Sequence, residues 1–226
     1  MLNNSVKNTL AVVGLCLGGL ATSATANADA ALRAQAQAFF KPLPAAMPGS
    51  ENDTPERIAL GEQLYFETAL STNGSQSCNS CHQVDNNGAG VDNEPTSPGA
   101  LGERGGRNSP TSFNAGFHIA QFWDGRAADL KEQAAGPIAN PGEMAFTHTL
   151  AVDTLRSIPR YSEAFARVYG VQQITIDEVT DAIAEFEETL VTPFSRFDRW
   201  LLGDTQAMTE DELRGYQLFK DTGCVA

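Results

Sequence analysis

Basic residues are scarce in this chain. Its 226 residues include 15 Lys and Arg against 28 Asp and Glu, which gives a formal net charge of −13 at pH 7. Nucleic-acid binding depends on clustered Lys and Arg that neutralise phosphates, so the composition excludes nucleic acid as an expected partner. The acidity favours encounter with a basic partner protein instead. The alternative, that it only keeps the protein soluble, fits the composition equally well.

Long hydrophobic runs are missing as well. The most prominent run, from Leu10 to Leu20, is shorter than the about 18 apolar residues that span a bilayer. It follows Lys7 and precedes a stretch of small residues, an order that is typical of a secretory signal. The sequence therefore predicts a signal peptide over residues 1–28, export to the periplasm of a Gram-negative bacterium, and no membrane anchor after its removal.

Cysteine is rare, with four residues in the whole chain. Cys16 lies inside the predicted signal, which leaves Cys78, Cys81 and Cys224. Because an odd number of cysteines cannot all pair, a framework made only of disulfides is excluded. The remaining cysteines need another explanation.

The segment Cys78-Asn79-Ser80-Cys81-His82 supplies one. In a C-x-x-C-H pattern the two thiols add to the vinyl groups of a haem, and the histidine becomes the proximal ligand of the iron. The alternatives are a redox pair of cysteines or half of a zinc site. A zinc site would need a second Cys/His pair at ligand spacing, and the sequence contains no complete one.

The rest of the pattern is mainly helical, with long irregular stretches. Capping residues and helical spacing of apolar residues support these predictions. The predicted helices cover residues 29–40, 54–67, 147–158, 175–190 and 209–220. Residues 83–112 are rich in Gly, Asn, Pro and Ser, and a loop of this length beside a haem is expected to form a wall of its pocket.

A weak internal repeat links the haem motif with the end of the sequence. Gly61-x-x-Leu64-Tyr65 precedes the motif, and Gly215-x-x-Leu218-Phe219 precedes Cys224. Each copy predicts a helix whose glycine lets another helix cross closely and whose apolar side faces a haem. Cys224-Val225-Ala226 would complete a second haem motif if Cys-His followed it, so we expect Cys224 to bind a second haem.

Several motifs occur together in one order and spacing. They are Leu70–His82, Gly106–Thr111, Gln121–Ala127, Gln133–Pro137 and Glu143-Met144. In this combination the chain, from about Leu60 onward, resembles the bacterial di-haem cytochrome c peroxidase family. The resemblance implies a mostly α fold of two cytochrome c-like haem domains with long irregular loops. It also implies hydrogen peroxide as substrate and a small cytochrome c or cupredoxin as electron donor.

The domain organisation follows from the same resemblance. Residues 29–195 are expected to form the N-terminal haem domain, which reacts with peroxide. Residues 196–226 would be the truncated start of the C-terminal electron-transfer domain. We also consider that the protein forms a homodimer.

The resemblance assigns roles to three residues beside the first haem. Glu143 matches the catalytic glutamate of the family, a carboxylate that would move a proton between the two peroxide oxygens. Gln133 matches a pocket glutamine that would hydrogen-bond peroxide or water, and Trp123 matches a tryptophan between the two haems that would carry electrons. The residues alone would favour ordinary structural roles for all three.

Two further expectations concern the neighbouring loops. Asn108 matches a residue at the calcium site between the domains of the family, although calcium takes about six to eight oxygen ligands and the others would lie outside this sequence. Asp124-Gly125-Arg126 is expected to form a tight turn with an ion pair beside a haem propionate.

The chain departs from the family pattern at the distal histidine, whose position is occupied by Ala100. Without that ligand, the activation step that removes it would not be needed. His118 is a candidate replacement, but a histidine in such a place is more often structural. His148 has no predicted partner.

Three alternatives stay open. Met144 follows His82 at a spacing that resembles simple cytochromes c, in which His/Met ligation makes an electron carrier. Some di-haem relatives instead oxidise a partner protein, with peroxide as the oxidant. A chain without the second haem would also turn over poorly with a protein donor.

Overall fold

The computed structural model describes residues 28–85 and 89–225. These residues are mostly helical, and among them no strand pairs beyond two isolated bridges, Pro98 with Arg104 and Gln121 with Ala127. The mostly α fold class is therefore confirmed. Residues 1–27 of the predicted signal, with Cys16, lie outside the described part. Within that part, the helices are too short or too polar to cross a membrane.

The helices are numbered here in chain order. They are α1 (residues 28–36), α2 (Pro55–Tyr65), α3 (Cys78–Cys81), α4 (Leu130–Ala139), α5 (His148–Ser157), α6 (Pro159–Tyr169), α7 (Ile176–Glu187), α8 (Arg196–Leu201) and α9 (Glu210–Asp221). Short 3₁₀ turns lie at Ser50–Asn52, Thr68–Leu70 and Ala115–Phe117.

Contacts divide the chain into two compact units. The first combines Met1–Pro44 with Pro193–Ala226, and its described part contains α1, α8 and α9. The second unit, Ala45–Thr192, contains α2 to α7. The assignment of residues 29–195 and 196–226 to two haem domains remains a prediction.

The second unit is built around the crossing of α2 and α7. Leu64 and Ile183 are fully buried in its core. A Cβ atom on Gly61 would lie 1.8 Å from the carbonyl oxygen of Ala182, so the backbones approach to a distance that only glycine allows. The close helix crossing predicted at Gly61 is confirmed.

Helix α7 begins and ends for identifiable reasons. Thr175 and Glu178 form a capping box at its start. The helix ends at Glu187, earlier than predicted, because Asn114 binds the chain beyond it. The backbone N–H of Asn114 donates to the Leu190 carbonyl at 2.8 Å, and its Oδ1 accepts from the backbone N–H of Thr192 at 2.9 Å.

The first unit has a small aromatic core of its own. Trp200 of α8 is fully buried, packs 5.6 Å from the ring of Tyr216 of α9, and donates its Nε1–H to Asp29 of α1 at 2.7 Å. Gly215 of α9 has no atom within 4 Å of where its Cβ would be. The close crossing predicted at Gly215 is therefore not formed within the described chain.

Candidate functional site

A cavity of about 560 Å³ lies in the second unit. Cys78, Cys81 and His82 all line it, and so do Gln133 and Glu143. Its volume falls in the range of about 300–1,000 Å³ that is typical of ligand and cofactor sites. The structure thus brings the predicted attachment motif and the predicted polar residues to one place.

The attachment motif is a single helical turn, α3. The backbone N–H of Ser77 donates to the hydroxyl of Ser80 at 3.0 Å, and this pairing caps the start of the turn. The backbone N–H of His82 donates to the Cys78 carbonyl at 3.0 Å and closes it. Because residues three apart share a helix face, Cys78 and Cys81 lie on the same side of the turn.

His82 is held in a definite orientation by a carbonyl group. Its Nδ1 lies 2.9 Å from the Pro110 carbonyl oxygen, which makes Nδ1 the donor and leaves Nε2 as the nitrogen for a metal. Burial lowers the pKa of His82 and so favours the neutral imidazole that binds metals. The Tyr65 hydroxyl donates to the His82 carbonyl at 2.8 Å and fixes its backbone.

The two thiols do not have the environment of a reactive redox pair. Burial raises the pKa of Cys78 and of Cys81, so both remain protonated, whereas redox-active cysteines have a lowered pKa. The zinc alternative also finds no support, since residues 28–85 and 89–225 contain no cluster of three or more metal-binding side chains. Haem attachment is the remaining interpretation of the motif.

Glu143 lies on the turn that follows α4. Its Oε1 accepts a hydrogen bond from Nδ2 of Asn140 at 2.8 Å. Burial raises the pKa of Glu143, and the charge of Arg126 and the Asn140 hydrogen bond oppose this rise. The carboxyl group is therefore half-buried and held in one orientation, and its pKa is higher than that of an exposed glutamate.

The loop that contains Ala100 packs directly against this turn. The backbone N–H of Ala100 donates to the Glu143 carbonyl at 2.7 Å, and Nδ2 of Asn73 donates to the Ala100 carbonyl at 2.6 Å. A Cβ on Gly99 would lie 2.3 Å from the Gly142 carbonyl oxygen, so glycine is required there. These backbone contacts hold the loop in place. Ala100 itself is buried and is not part of the cavity lining.

The segment around Trp123 forms the rim of the cavity. Trp123 is 60% exposed, and its Nε1–H donates to the Asn108 carbonyl at 2.9 Å. The predicted ion pair of the tight turn is present, with Arg126 Nη1 and Asp124 Oδ1 2.7 Å apart. A carbonyl oxygen has two lone pairs, so the hydrogen bond from Trp123 does not exclude a calcium ion at the Asn108 carbonyl. Calcium binding at Asn108 stays a prediction.

The other sequence candidates differ in their placement. Met144 is buried and lines the cavity beside Glu143, so the structure keeps both residues at the site. His118 is exposed and outside the lining, which argues against its use as a distal ligand. His148 bonds through Nε2 to the Ala135 carbonyl at 2.8 Å and has a structural role. Cys224 is exposed beyond α9, and its predicted role stays untested.

Comparison with known proteins identifies the family. A sequence model described as Di-haem cytochrome c peroxidase matches residues 55–206, which is well over half of the chain. The chain belongs to this family. Its members carry covalently bound haem c, so the prediction of that cofactor from Cys78, Cys81 and His82 is supported by the family assignment.

Relatives of this di-haem peroxidase family are similar over most of the chain. Cytochrome c551 peroxidase of Nitrosomonas europaea is 48% identical over 222 residues, 97% of this chain and 63% of the relative. Cytochrome c551 peroxidase of Pseudomonas aeruginosa is 45% identical, over 94% of this chain and 62% of the relative. Methylamine utilization protein MauG of Methylorubrum extorquens is 38% identical, over 90% and 59%. The chain spans less than two thirds of each relative.

Solved structures support the fold. A MauG-like protein associated with microbial copper homeostasis superposes with a TM-score of 0.69 at 29% identity, covering 80% of this chain and 53% of that structure. The diheme peroxidase BthA from Burkholderia thailandensis superposes with a TM-score of 0.64 at 24% identity, covering 81% and 51%. The second likeness shows the fold alone.

The cavity of this family member fits a haem in shape and chemistry. Cys78, Cys81 and His82 line the same space, and the contact of Nδ1 with the Pro110 carbonyl leaves Nε2 of His82 as the nitrogen for the iron. Apolar residues supply much of the remaining wall and suit the macrocycle. They include Ala115, Phe122, Leu130, Ala134, Pro137, Met144 and Ile183.

Sequence reasoning missed three contributors to the site. The Pro110 carbonyl orients His82, and Asn140 holds Glu143. Glu187, the last residue of α7, also lines the cavity and is buried. The signal for Pro110 was its position inside the Gly106–Thr111 motif, and Asn140 lies between the motifs Gln133–Pro137 and Glu143-Met144. Glu187 looked like one of several acids on an amphipathic helix.

Proposed function

We propose that the protein is a periplasmic peroxidase that reduces hydrogen peroxide to water with electrons from a small cytochrome c or cupredoxin. The observation that carries this proposal is the placement of Glu143 in the same cavity as the haem-attachment residues Cys78, Cys81 and His82. The relatives named cytochrome c551 peroxidase, at 45–48% identity, support it.

The bound haem would supply the redox-active iron needed for cleavage of the O–O bond. The chain itself supplies the proton transfer. Oε1 of Glu143 is occupied by Asn140, so Oε2 is the atom available to take a proton from one peroxide oxygen and deliver it to the other. Because burial raises the pKa of Glu143, the same group holds the proton more readily than an exposed glutamate before it returns it.

Gln133 and Trp123 would support this reaction from two sides of the cavity. Gln133 lies on α4 and lines the cavity, and its amide offers one donor group and one acceptor oxygen to orient peroxide. Trp123 stands on the rim with its ring partly exposed, where it would carry electrons between haems. Calcium at Asn108 and a homodimer remain further proposals.

Replacing Glu143 tests the proposal. Glu143→Gln keeps the shape of the side chain but removes the base, so the rate of reaction with peroxide should fall by about 10²–10⁴-fold. Stopped-flow absorption with the haem-loaded protein measures that rate, and the ferric spectrum should stay nearly the same. Glu103→Gln, an exposed acid on a neighbouring loop, is the matched control and should react like the parent. An unchanged rate in Glu143→Gln would show that the proposed base is wrong.

Met144 supports a second candidate function, electron transfer with His82 and Met144 as axial ligands. It lies next to Glu143 and is also part of the cavity lining. Methionine at the iron would close the site to peroxide. A methionine-to-iron charge-transfer band in the ferric spectrum would establish this function and exclude the peroxidase assignment.

Oxidation of a partner protein is the other candidate, because three relatives named methylamine utilization protein MauG are 34–38% identical. Steady-state peroxide turnover with reduced cytochrome c distinguishes the two functions. Fast turnover supports the ordinary peroxidase, and absence of turnover by a chain that carries both haems supports partner oxidation.

A further inference from the structure

Glu187 is a buried acid without a partner in the haem cavity. It is 7% exposed and lines the cavity, and its Oε2 is fully buried without a hydrogen bond. Across residues 28–85 and 89–225, no cation or hydrogen-bond donor contacts its carboxyl group. An unpaired buried carboxylate is costly, so such a group needs an explanation beyond packing.

The surroundings of Glu187 favour its neutral form. Burial raises its pKa to about 8. It is the last residue of α7, where the negative end of the helix dipole also disfavours a carboxylate. A small change in the charge of the cavity is therefore enough to change its protonation near neutral pH.

Helices α2, α4 and α5 pack against α7, and α3 lies nearby. The titratable groups of these elements that interact with Glu187 are Tyr65 of α2 and Cys78 of α3. Burial raises the pKa of both, so both are neutral near pH 7 and neither compensates a charge on Glu187.

Several charged groups of the same elements form ion pairs, and none of the charged groups on these elements shifts the pKa of Glu187, which burial alone raises. Their ion pairs are Arg57 with Glu185, Lys131 with Asp177 and Asp181, and Asp153 with Arg156. Glu188, which follows Glu187, bonds to Asp53 and is not part of the cavity lining. Glu143 also lines the cavity and its pKa is raised by burial, but it does not act on Glu187, whose pKa is shifted by burial alone. The change of charge to which Glu187 would respond is then that of the haem iron.

We propose that Glu187 takes up a proton when the haem attached to Cys78 and Cys81 is reduced and releases it when that haem is oxidised. In the balanced step, one electron from a small redox protein or an electrode mediator would reduce the haem, and the Glu187 carboxylate would take one proton from the solvent to become the neutral acid. No bond to the haem is made or broken. This inference rests on haem attachment and not on peroxide chemistry.

The physical basis is the repulsion between an added electron and a carboxylate in the same poorly solvated cavity. The interaction is stronger there than in water, so reduction raises the affinity of Glu187 for a proton. By reciprocity, a protonated Glu187 favours the reduced haem. The midpoint potential should therefore be highest at low pH and fall as pH rises through the range in which Glu187 titrates.

The test is a spectroelectrochemical titration of the haem-loaded chain from acid to mildly alkaline pH. The parent should show a falling midpoint potential, whereas Glu187→Gln, which is always neutral, should show a smaller dependence, because Glu143 is then left to titrate in the cavity lining. Glu188→Gln is a matched control, because its pKa is likewise raised to about 8 but its carboxyl is outside the cavity. It should behave like the parent. A pH dependence in Glu187→Gln as large as that of the parent would overturn the proposal.

A measurement on the unchanged protein covers the case in which Glu187→Gln does not bind haem. Infrared difference spectra between the reduced and oxidised states should show gain of a protonated carboxylic acid on reduction, with the isotope shift expected in D₂O. Glu143→Gln should keep this band, and its loss in that variant would assign the band to Glu143 and overturn the proposal. If no such band appears across the pH range, Glu187 does not gain a proton and the proposal fails. Neither experiment uses peroxide, so each can fail or succeed independently of the peroxidase assignment.

Discussion

Helices α2 and α9 share a sequence pattern but not an environment. Both carry Gly-x-x-Leu followed by an aromatic residue, and both precede a cysteine segment. In α2, Leu64 and Tyr65 are fully buried. In α9, Leu218 is 65% exposed and Phe219 is 45% exposed.

The difference lies in the partner helix. Helix α7 crosses α2 at Gly61, and this contact buries the apolar side of α2. Nothing in the described chain approaches α9 at Gly215. The pattern therefore encodes a helix with one apolar side, while burial of that side depends on a second helix that approaches the glycine.

The largest effect is expected from substitution of the two glycines. Gly61→Ala places a methyl group on the Ala182 carbonyl, so the free energy of unfolding should fall by about 3 kcal/mol or more. Gly215→Ala has open space and gains helix propensity, which stabilises α9 by about 0.5–1 kcal/mol. Urea unfolding measured by circular dichroism tests the first change, and hydrogen exchange within α9 tests the second. Equal effects at both sites would disprove the role of the crossing helix.

Substitution of the two leucines should also affect the free energy of unfolding to different extents. Leu64→Ala leaves a cavity in a closed core and should lower the free energy of unfolding by about 2–5 kcal/mol. Leu218→Ala removes an exposed side chain and should change it by no more than about 0.5 kcal/mol. The same urea titration measures both. A loss at Leu218 that matched the loss at Leu64 would mean that α9 is buried in solution.

The smallest difference is expected between the aromatic residues at matching positions, Tyr65 of α2 and Phe219 of α9. Tyr65→Phe removes a hydroxyl that bonds to the His82 carbonyl and lies 3.1 Å from the Ser112 hydroxyl, so it should cost about 1 kcal/mol. Phe219→Tyr, the reciprocal change in α9, should be neutral because this residue is 45% exposed. Thermal unfolding compares them. If Tyr65→Phe is also neutral, the hydroxyl does not fix the backbone of His82.

Much of the site could be predicted because its chemistry is local in the sequence. The spacing of Cys78, Cys81 and His82 is that of one helical turn, and the structure forms that turn. The family resemblance, now supported by the match over residues 55–206, led to Glu143 and Gln133, which the structure places in the same cavity.

Other features of the site depend on contacts between residues far apart in the sequence, which no local sequence pattern indicates. The carbonyl of Pro110 orients His82 from 28 residues away in sequence. Helix α4 was not predicted, because Gly136 and Pro137 interrupt its propensity, yet Gly136 leaves room for the ring of Phe122. The burial of Glu187 arises from the packing of α7 and could not be read from an acidic helix.

The loop around Ala100 has a consequence for protein engineering. A designer who wished to install an axial ligand opposite His82 would begin with Ala100→His. The backbone of residue 100 is fastened to the Glu143 turn on one side and to Asn73 on the other, and Gly99 admits no rearrangement toward Gly142. A new imidazole would be held where the alanine now lies, outside the cavity lining. Residues 97–104 are therefore the module to exchange as a whole.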